Sequence, residues 1–418
     1  MFFLYHLAVL LSWFSLHLAA LLNPKIRSFV KGRKDLVPYL KRERDPQKPL
    51  IWMHTASLGE FEQGAPVLEA LGRSYPGHQL LVTFFSPSGY EVKKGRTGNT
   101  LVAYLPMDTP GQVKAFLDLA QPSIALFVKY EVWPELFRKL RQQGTPTFML
   151  SAIFRPHQAY FKWYGGLLRK ALAGVEHFFV QDERSSQMLA DLGIERVTVS
   201  GDTRFDRVGE LLETVAPLPF MEAFTRGRTC LVAGSTWPED HDLLLPFINK
   251  SPATRCFVIA PHKTDAKTIE AIEKGLDRPS VRYSLMEPGS LEKASILIVD
   301  TIGLLTRIYR YADLAYVGGG LATGLHNTLE PAVYGIPVLI GPAYEGFREA
   351  SELVAAGGIA VVHTPGDFDQ QCGALMEGPE KRTRMGDINH HYVQANKGAS
   401  RMIVKGLQPY LEGNGGFL

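Results

Sequence analysis

The chain has 418 residues, which at about 150 residues per domain predicts two domains. Hydrophobic residues make up 45% and charged residues 21%, which excludes a disordered chain. The net charge of +3 is too small to indicate a nucleic-acid partner. The three cysteines are widely spaced and support neither a disulfide framework nor a zinc site.

Residues 2–22 form an apolar segment without a fully charged side chain. About 20 apolar residues in a helix match the thickness of a bilayer core, and Asn23-Pro24 predicts the end of that helix. Eight lysines and arginines follow between residues 25 and 44, typical of a cytoplasmic flank. We expect a membrane-anchor helix over 1–24, spanning the bilayer or lying in its interface, and a basic linker over 25–48. A cleaved signal peptide fits less well because no basic region precedes the apolar run.

From residue 49 onward, short apolar runs alternate with helical patterns, which predicts parallel sheets covered by helices. Two series of strands are predicted, at 50–56, 78–86, 123–128, 146–152, 176–181 and 196–201, and at 229–235, 254–261, 295–300, 314–320, 337–341 and 359–362. The predicted organisation is a domain over 49–207, a linker over 208–228, a second domain over 229–405 and a tail over 406–418. Two doubly wound Rossmann-like α/β domains facing a cleft are the GT-B arrangement, and ligands then bind at the carboxyl ends of the strands.

Two loops of the first domain carry candidate residues. Ser57-Leu58-Gly59-Glu60 follows the first strand, and Glu60 could take a proton from a sugar hydroxyl. An acidic residue in a first helical turn can also simply complement the helix dipole. Glu131 follows the strand at 123–128 and could face an acceptor, or belong to an ordinary helix start before Pro134.

Two loops of the second domain are typical of phosphate sites. Gly234-Ser235-Thr236 lies between a strand and a helix, where backbone N–H groups and hydroxyls bind phosphate or cap the helix. A glycine run that includes Gly319 and Gly320 precedes Asn327, Thr328, Leu329 and Glu330. Asn327 could present N–H groups to a phosphate, and Glu330 could bind a ribose diol. The same pair is also a plain helix-start signature.

Several motifs occur in a family's order: ASLGEFEQG (56–64), YEVWPEL (130–136), GDTRFD (201–206), AGST (233–236) and HNTLEPAVYGIPVLIGP (326–342). With the anchor, they resemble the 3-deoxy-D-manno-octulosonic acid (Kdo) transferases of lipopolysaccharide synthesis, from about Leu50 to about Val362. The resemblance implies inverting transfer of Kdo from CMP-Kdo to a lipid A precursor (lipid IVA), with Glu60 as base. It implies no cofactor and no metal, and a body that faces the cytoplasm at the inner membrane.

The resemblance also implies where the substrates bind. CMP is expected near Pro261 and His262, near Ile302-Gly303-Leu304, and at 327–330. Ser57, Gly59 and Glu131 are expected near the acceptor or the Kdo sugar. Arg155 would extend the basic rim toward the acceptor's phosphates, and Arg204 would hold a phosphate or pair with Asp206.

This chain departs from the family pattern at three places. His262-Lys263 stands where Arg-His is common, Ile302-Gly303-Leu304 replaces Met-Gly-Glu, and Asp202 and Arg204 replace the asparagine and lysine of another motif. The runner-up interpretation is a membrane-associated GT-B enzyme that transfers a UDP-sugar to a lipid. A sugar-nucleotide isomerase and an inactive binding module on the same fold are further alternatives.

Overall fold

The computed structural model describes residues 2–94, 99–214, 216–287 and 289–413. The chain divides into two compact units, Met1–Arg207 with Lys397–Leu418, and Val208–Asn396. The end of the predicted tail, 414–418, lies outside the described residues. Each unit contains a seven-stranded parallel sheet.

The first sheet has the strand order β3-β2-β1-β4-β5-β6-β7. Its strands are β1 (Leu50–Thr55), β2 (Gln79–Phe84), β3 (Thr100–Tyr104), β4 (Ile124–Val128), β5 (Thr147–Ala152), β6 (His177–Val180) and β7 (Val197–Val199). The helices of this unit before its last strand are α1 (Phe2–Leu22), α2 (Pro24–Lys34), α3 (Leu36–Glu43), α4 (Leu58–Ser74), α5 (Pro87–Lys93), α6 (Pro110–Ala120), α7 (Pro134–Gln142), α8 (Gly166–Leu172) and α9 (Glu183–Ala190).

The second sheet has the strand order β10-β11-β9-β8-β12-β13-β14. After α10 (Arg204–Thr214) and α11 (Pro219–Thr225), its strands are β8 (Thr229–Thr236), β9 (Arg255–Pro261), β10 (Ser280–Arg282), β11 (Ile296–Ile298), β12 (Leu314–Val317), β13 (Val338–Ile340) and β14 (Ile359–Val361). The remaining helices are α12 (Pro238–Lys250), α13 (Ala266–Lys274), α14 (Ser290–Lys293), α15 (Leu305–Ile308), α16 (Leu329–Ala332), α17 (Arg348–Ala356), α18 (Pro365–Glu377), α19 (Pro379–Ala395) and α20 (Ala399–Leu411).

Both sheets are buried on two faces, as parallel sheets require. All six residues of β1 are buried, and so are all six of β2 and of β5. Strands of this kind read as continuous apolar runs, which is why the sequence identified the central strands. The strands β3 and β10 were not predicted, and each forms an edge of its sheet.

The segment expected to be a basic linker is largely helical, because α2 and α3 occupy most of it. Leu36 and Leu40 of α3 belong to the hydrophobic core of the first unit. Arg33 is buried as well, with its guanidinium 3.6 Å from the centre of the Phe29 ring and donating a hydrogen bond to the carbonyl oxygen of Phe85. Part of the basic cluster is therefore structural, whereas Lys31 and Lys34 are exposed.

The second unit ends at Asn396, whereas the sequence placed its boundary at residue 405. The difference is due to α20, which packs against α4 of the first unit. Ile403 and Leu407 of α20 lie in one core cluster with Phe61 and Leu68 of α4. The carboxylate of Asp206 accepts hydrogen bonds from the N–H groups of residues 398 and 400 at the start of this helix.

Candidate active site

Glu60 lies in the first turn of α4, directly after β1 ends. Its Oε2 accepts a hydrogen bond from the N–H of Ala56 at 2.5 Å, and the side chain is only 7% exposed. Burial and, to a smaller extent, the charge of Glu131 raise the pKa of Glu60 from 4.5 to about 7, against the opposing effects of backbone hydrogen bonds and Lys129. A carboxyl group with a pKa close to the operating pH is well suited to act as a general base.

The backbone before Glu60 leaves room for a substrate. Ser57 is the N-cap residue of α4 without a side-chain capping bond, and it is half-buried. Gly59 is exposed, and a Cβ added there would meet no atom within 4 Å. A hydroxyl-bearing ligand can therefore approach the turn that carries Glu60.

Glu131 faces a histidine that the sequence analysis did not single out. His54, on β1, is fully buried, and its Nε2 lies 3.8 Å from Oε2 of Glu131. Its Nδ1 lies 3.0 Å from the carbonyl oxygen of Thr83 and 2.9 Å from the Thr83 hydroxyl. Because a carbonyl can only accept, a proton on Nδ1 satisfies that contact, and Nε2 is left facing Glu131 without a hydrogen bond.

Lys129 is a second functional candidate that the sequence analysis missed. It follows β4 with φ of 64°, a left-handed conformation that costs a residue other than glycine on the order of 1–3 kcal/mol. Its charge lowers the pKa of Glu60, in opposition to the larger effect of burial. A strained cation beside a buried carboxylate is typical of a functional site.

Arg155 lies after β5 and lines a cavity of about 430 Å³ together with Tyr130 and Tyr160. The hydroxyl of Tyr160 donates a hydrogen bond of 2.6 Å to the carbonyl oxygen of Tyr130, the residue before Glu131. The structure therefore brings Arg155 to the loop that carries Glu131.

Arg204 pairs with Asp202, with Nη2 of the guanidinium 2.7 Å from Oδ2 of the carboxylate. Burial alone would raise the pKa of Asp202, but Arg204 and several hydrogen bonds hold that pKa below its usual value. Asp202 also accepts a hydrogen bond from Gln63, three residues after Glu60 on α4. Through Asp202, Arg204 is therefore connected to α4, the helix that carries Glu60.

The candidate residues of the second unit lie at the carboxyl ends of its strands or in the loops that follow, except Leu329 and Glu330, which begin α16. Gly234, Ser235 and Thr236 end β8, and Ser235 has a left-handed φ of 54°. Pro261 ends β9, and the N–H of His262 donates to the carbonyl oxygen of Thr236 at 2.9 Å.

The glycine run after β12 has a packing role. A Cβ at Gly318 would lie 2.5 Å from the carbonyl oxygen of Ser235, and one at Gly320 would lie 2.8 Å from the backbone nitrogen of Gly341. Gly319 has a φ of 88°, and its N–H donates to the carboxylate of Asp240. These glycines are therefore required by close backbone contacts, in addition to any space that they leave for a ligand.

Trp237, directly after Gly234-Ser235-Thr236, forms the centre of an aromatic cluster. Its ring stacks on His262 with centroids 4.5 Å apart, and its Nε1 donates to Nε2 of His326 at 3.0 Å. Burial lowers the pKa of both histidines, and Lys263 lowers that of His262 further. The cluster therefore offers flat, neutral rings beside a lysine at the predicted nucleotide site.

Asn327 and Glu330 contact each other, and Glu330 also contacts α15. Asn327 accepts a hydrogen bond from the N–H of Leu329 and donates one of 3.2 Å to Glu330. Glu330 also accepts a bond of 2.9 Å from the hydroxyl of Thr306. Thr328 and Leu329 are buried.

The loop of Ile302, Gly303 and Leu304 directly precedes α15, which contains Thr306. Ile302 is 91% exposed, and Gly303 has a φ of 96° with open space at its Cβ position. The bond from Thr306 to Glu330 therefore brings this loop to residues 327–330.

Comparisons with known proteins show which family and fold the chain resembles. Residues 31–207 match the model of a family described as 3-deoxy-D-manno-octulosonic-acid transferase (kdotransferase). A 3-deoxy-D-manno-octulosonic acid transferase of Haemophilus influenzae is 27% identical over 379 residues, covering 87% of this chain and 88% of its own. The enzyme of the same name from Bordetella pertussis is 28% identical over 382 residues, covering 86% of this chain and 87% of its own.

Similar solved structures include a UDP-GlcNAc 2-epimerase from Neisseria meningitidis, with a TM-score of 0.61, 18% identity and coverage of 86% of this chain and 99% of its own. Another is MurG from Acinetobacter baumannii, with a TM-score of 0.54, 14% identity and coverage of 86% and 99%. At this level of identity the similarity shows the fold alone. Together with the two parallel sheets, it confirms the predicted GT-B fold class.

Proposed function

The chain belongs to the family of 3-deoxy-D-manno-octulosonic acid (Kdo) transferases, and we propose that it transfers Kdo from CMP-Kdo to a hydroxyl of a lipid A precursor, lipid IVA, in lipopolysaccharide core biosynthesis. The observation that carries the proposal is the buried carboxyl group of Glu60, whose pKa is raised to about 7 at the open end of β1. A base of this kind is what an inverting transfer to a sugar hydroxyl requires.

In the proposed reaction Glu60 takes the proton of a glucosamine hydroxyl as that oxygen attacks the anomeric carbon of Kdo. The bond between this carbon and the phosphate oxygen of CMP breaks, and CMP leaves with the electron pair. The configuration at the anomeric carbon inverts in this single displacement. Glu60 returns its proton to water, and neither a metal nor a cofactor takes part.

In the second unit we assign the CMP moiety to the loops after β8, β9, β11 and β12 and to residues 327–330. The support is the position of these loops at the carboxyl ends of parallel strands. Glu330 is expected to exchange its bond from Asn327 for a ribose hydroxyl while it keeps the bond from Thr306. In the first unit we assign the acceptor or the Kdo sugar to Ser57, Gly59, Glu131, Arg155 and Arg204.

We further propose that the protein is attached to the inner membrane through α1, with its body in the cytoplasm. A window of α1, Phe2–Ala19, is long and apolar enough to cross a membrane. Two exposed aromatic residues after β5, Trp163 at 91% and Tyr164 at 59%, are a second potential membrane contact. Tyr160 and Phe161, their neighbours, pack against the core instead.

The test is transfer of Kdo from CMP-Kdo to lipid IVA by the wild type, Glu60→Gln and Glu60→Ala. Loss of a general base is expected to lower kcat by about 100- to 10,000-fold. Glu69→Gln, which changes an exposed carboxylate on the same helix, is the matched control and should keep full activity. Calorimetric binding of CMP should be equal in all variants.

Two outcomes would contradict the proposal. Full activity of Glu60→Gln would exclude Glu60 as the base. Turnover of a UDP-sugar by the wild type, with no product from CMP-Kdo, would favour the membrane-associated GT-B enzyme with a UDP-sugar donor.

A further inference from the structure

The helix α1 has two distinct faces, although almost all of its residues are apolar. One face is directed at the first unit and is at least half-buried at Tyr5, His6, Val9, Trp13 and His17. Tyr5, Val9, Trp13 and His17 recur every four residues, which is the spacing of one face of a helix, and His6 lies next to Tyr5 and three residues before Val9 on that face. The side chains of this helix that carry a ring nitrogen, His6, Trp13 and His17, and its one tyrosine lie on this face.

The docked face contacts buried charges near its beginning. The hydroxyl of Tyr5 donates a hydrogen bond of 2.7 Å to Asp108, whose carboxylate also accepts the N–H groups of residues 135 and 136 at the start of α7. Nε2 of His6 lies 3.2 Å from the carboxylate of Glu135, which is fully buried and pairs with Arg138. These are specific polar contacts with the body of the first unit.

The contacts continue to the other end of the helix. The ring of Trp13 lies 6.5 Å from that of Phe29 on α2. Arg27 of α2 donates to the carbonyl oxygens of Ala20 and Leu21, which closes the end of α1. From Tyr5 to Ala20 the helix extends about 22 Å at 1.5 Å per residue, so it lies along the body over most of its length.

The opposite face is apolar and exposed. It carries Phe3, Leu7, Leu10, Phe14, Leu18 and Leu21, again at helical spacing. The two serines at its margin satisfy their hydroxyls within the helix, since those of residues 12 and 15 donate to the carbonyl oxygens four residues earlier. No hydrogen-bonding group on this face requires water.

We propose that α1 lies along the membrane surface, with its docked face on the first unit and its apolar face in the lipid, and does not cross the bilayer. A crossing helix in this arrangement would carry Asp108, Glu135 and Arg138 into the hydrocarbon region, which is strongly unfavourable. The exposed Lys31 and Lys34 of α2 supply the charge that anionic headgroups attract.

The inference deepens the proposed membrane attachment and identifies its partner as a lipid surface. It also has a consequence for the site. Glu135 lies four residues after Glu131, so the lipid-facing helix holds the segment that carries Glu131. The acceptor's lipid would then be presented close to the loop that faces Glu60.

The first experiment determines on which side of the membrane the start of α1 lies. A short Gly-Ser-Cys-Gly-Ser extension is placed before residue 1, and a second variant carries Gln142→Cys, an exposed position at the end of α7. Both are treated with a membrane-impermeant maleimide in spheroplasts and in inverted membrane vesicles. The three native cysteines are buried and give little background.

Labelling of the extension and of Gln142→Cys in the same membrane orientation is expected, because a surface helix keeps both on one side. Labelling in opposite orientations would show that α1 crosses the bilayer and would overturn the inference. The result depends on neither donor nor acceptor, so it can fail while the transferase proposal stands.

The second experiment compares the two faces. Binding to vesicles of phosphatidylethanolamine and phosphatidylglycerol should fall about 10- to 100-fold for Phe14→Glu, which removes one buried aromatic side chain from lipid, with no change in Tm. The matched variant Tyr5→Phe should keep vesicle binding and lower Tm, because Asp108 loses a hydrogen bond. Equal vesicle binding by Phe14→Glu and the wild type would contradict the assignment of the lipid-facing side.

Discussion

Buried carboxylates lie at strand ends in both units, but their surroundings differ. In the second unit Asp240 accepts three hydrogen bonds, from the hydroxyl of Tyr316 and the N–H groups of Trp237 and Gly319. In the first unit Glu60 accepts from the backbone only, and its pKa is raised by burial and by Glu131.

The difference separates two uses of a buried carboxylate. A carboxylate with both oxygens hydrogen-bonded holds its neighbours in place, whereas a buried one with few partners beside a like charge has a high proton affinity. Asp240 joins β12, the glycine run and the start of α12, so it shapes the loops of the predicted nucleotide site. Glu60 is the group whose protonation can change during a reaction.

The largest effect on stability is expected from Asp240→Ala. Three donors, two of them buried and one half-buried, would lose their acceptor, so the free energy of unfolding should fall by about 2–4 kcal/mol. Urea denaturation measures this change. Asp265→Ala, at the exposed N-cap of α13, removes a carboxylate with comparable capping bonds and should cost clearly less. Equal losses in the two variants would remove the distinction between Asp240 and an ordinary cap.

A second prediction concerns the pH dependence of Kdo transfer. Because Glu60 must be ionised to act as base, kcat/KM should rise with pH and level off above about 7. Glu131→Gln removes a negative charge that raises the pKa of Glu60, so the rising limb should move to lower pH. A limb at the same pH in both proteins would show that Glu131 does not act on Glu60.

The same pKa has a consequence for stability. The folded chain binds the Glu60 proton more tightly than the unfolded chain, whose carboxyl has the ordinary pKa of 4.5. This carboxyl therefore costs stability as pH rises from about 4.5 through about 7. Glu60→Gln removes this cost and should raise the free energy of unfolding at neutral pH, whereas Asp240→Ala should lower it.

The sequence predicted the features that follow from burial on two faces. The central strands, the GT-B class and the end of α1 before Pro24 are confirmed because continuous apolar runs and proline have strong local signals. The edge strands β3 and β10 were missed, and β10 is a three-residue strand whose residues are all only half-buried. The helices of the basic linker were missed because its many charged residues indicated a solvated segment, although Leu36 and Leu40 have the four-residue spacing of a buried helix face.

Tertiary contacts explain what sequence reasoning could not assign at the site. The glycine run is fixed by Gly341 and Ser235, which are distant in sequence. His54 and Trp237 each stand next to or near a recognised motif, yet only the fold brings His54 to Glu131 and Trp237 to His326. Their proximity to the motifs was the only signal available beforehand.

The smallest effect is expected at His54, where two substitutions separate its two nitrogens. The amide nitrogen of His54→Asn can replace Nδ1 toward Thr83, whereas that of His54→Gln can reach the position of Nε2 toward Glu131. If a proton on Nε2 of His54 holds Glu131 in place, His54→Gln, whose amide nitrogen carries protons at that position, should keep several-fold more activity than His54→Asn, and only His54→Asn should move the acidic limb of the pH profile. If the bond to Thr83 alone matters, His54→Asn should be the more active variant. His54 would then connect β1 to β2 and would not position Glu131.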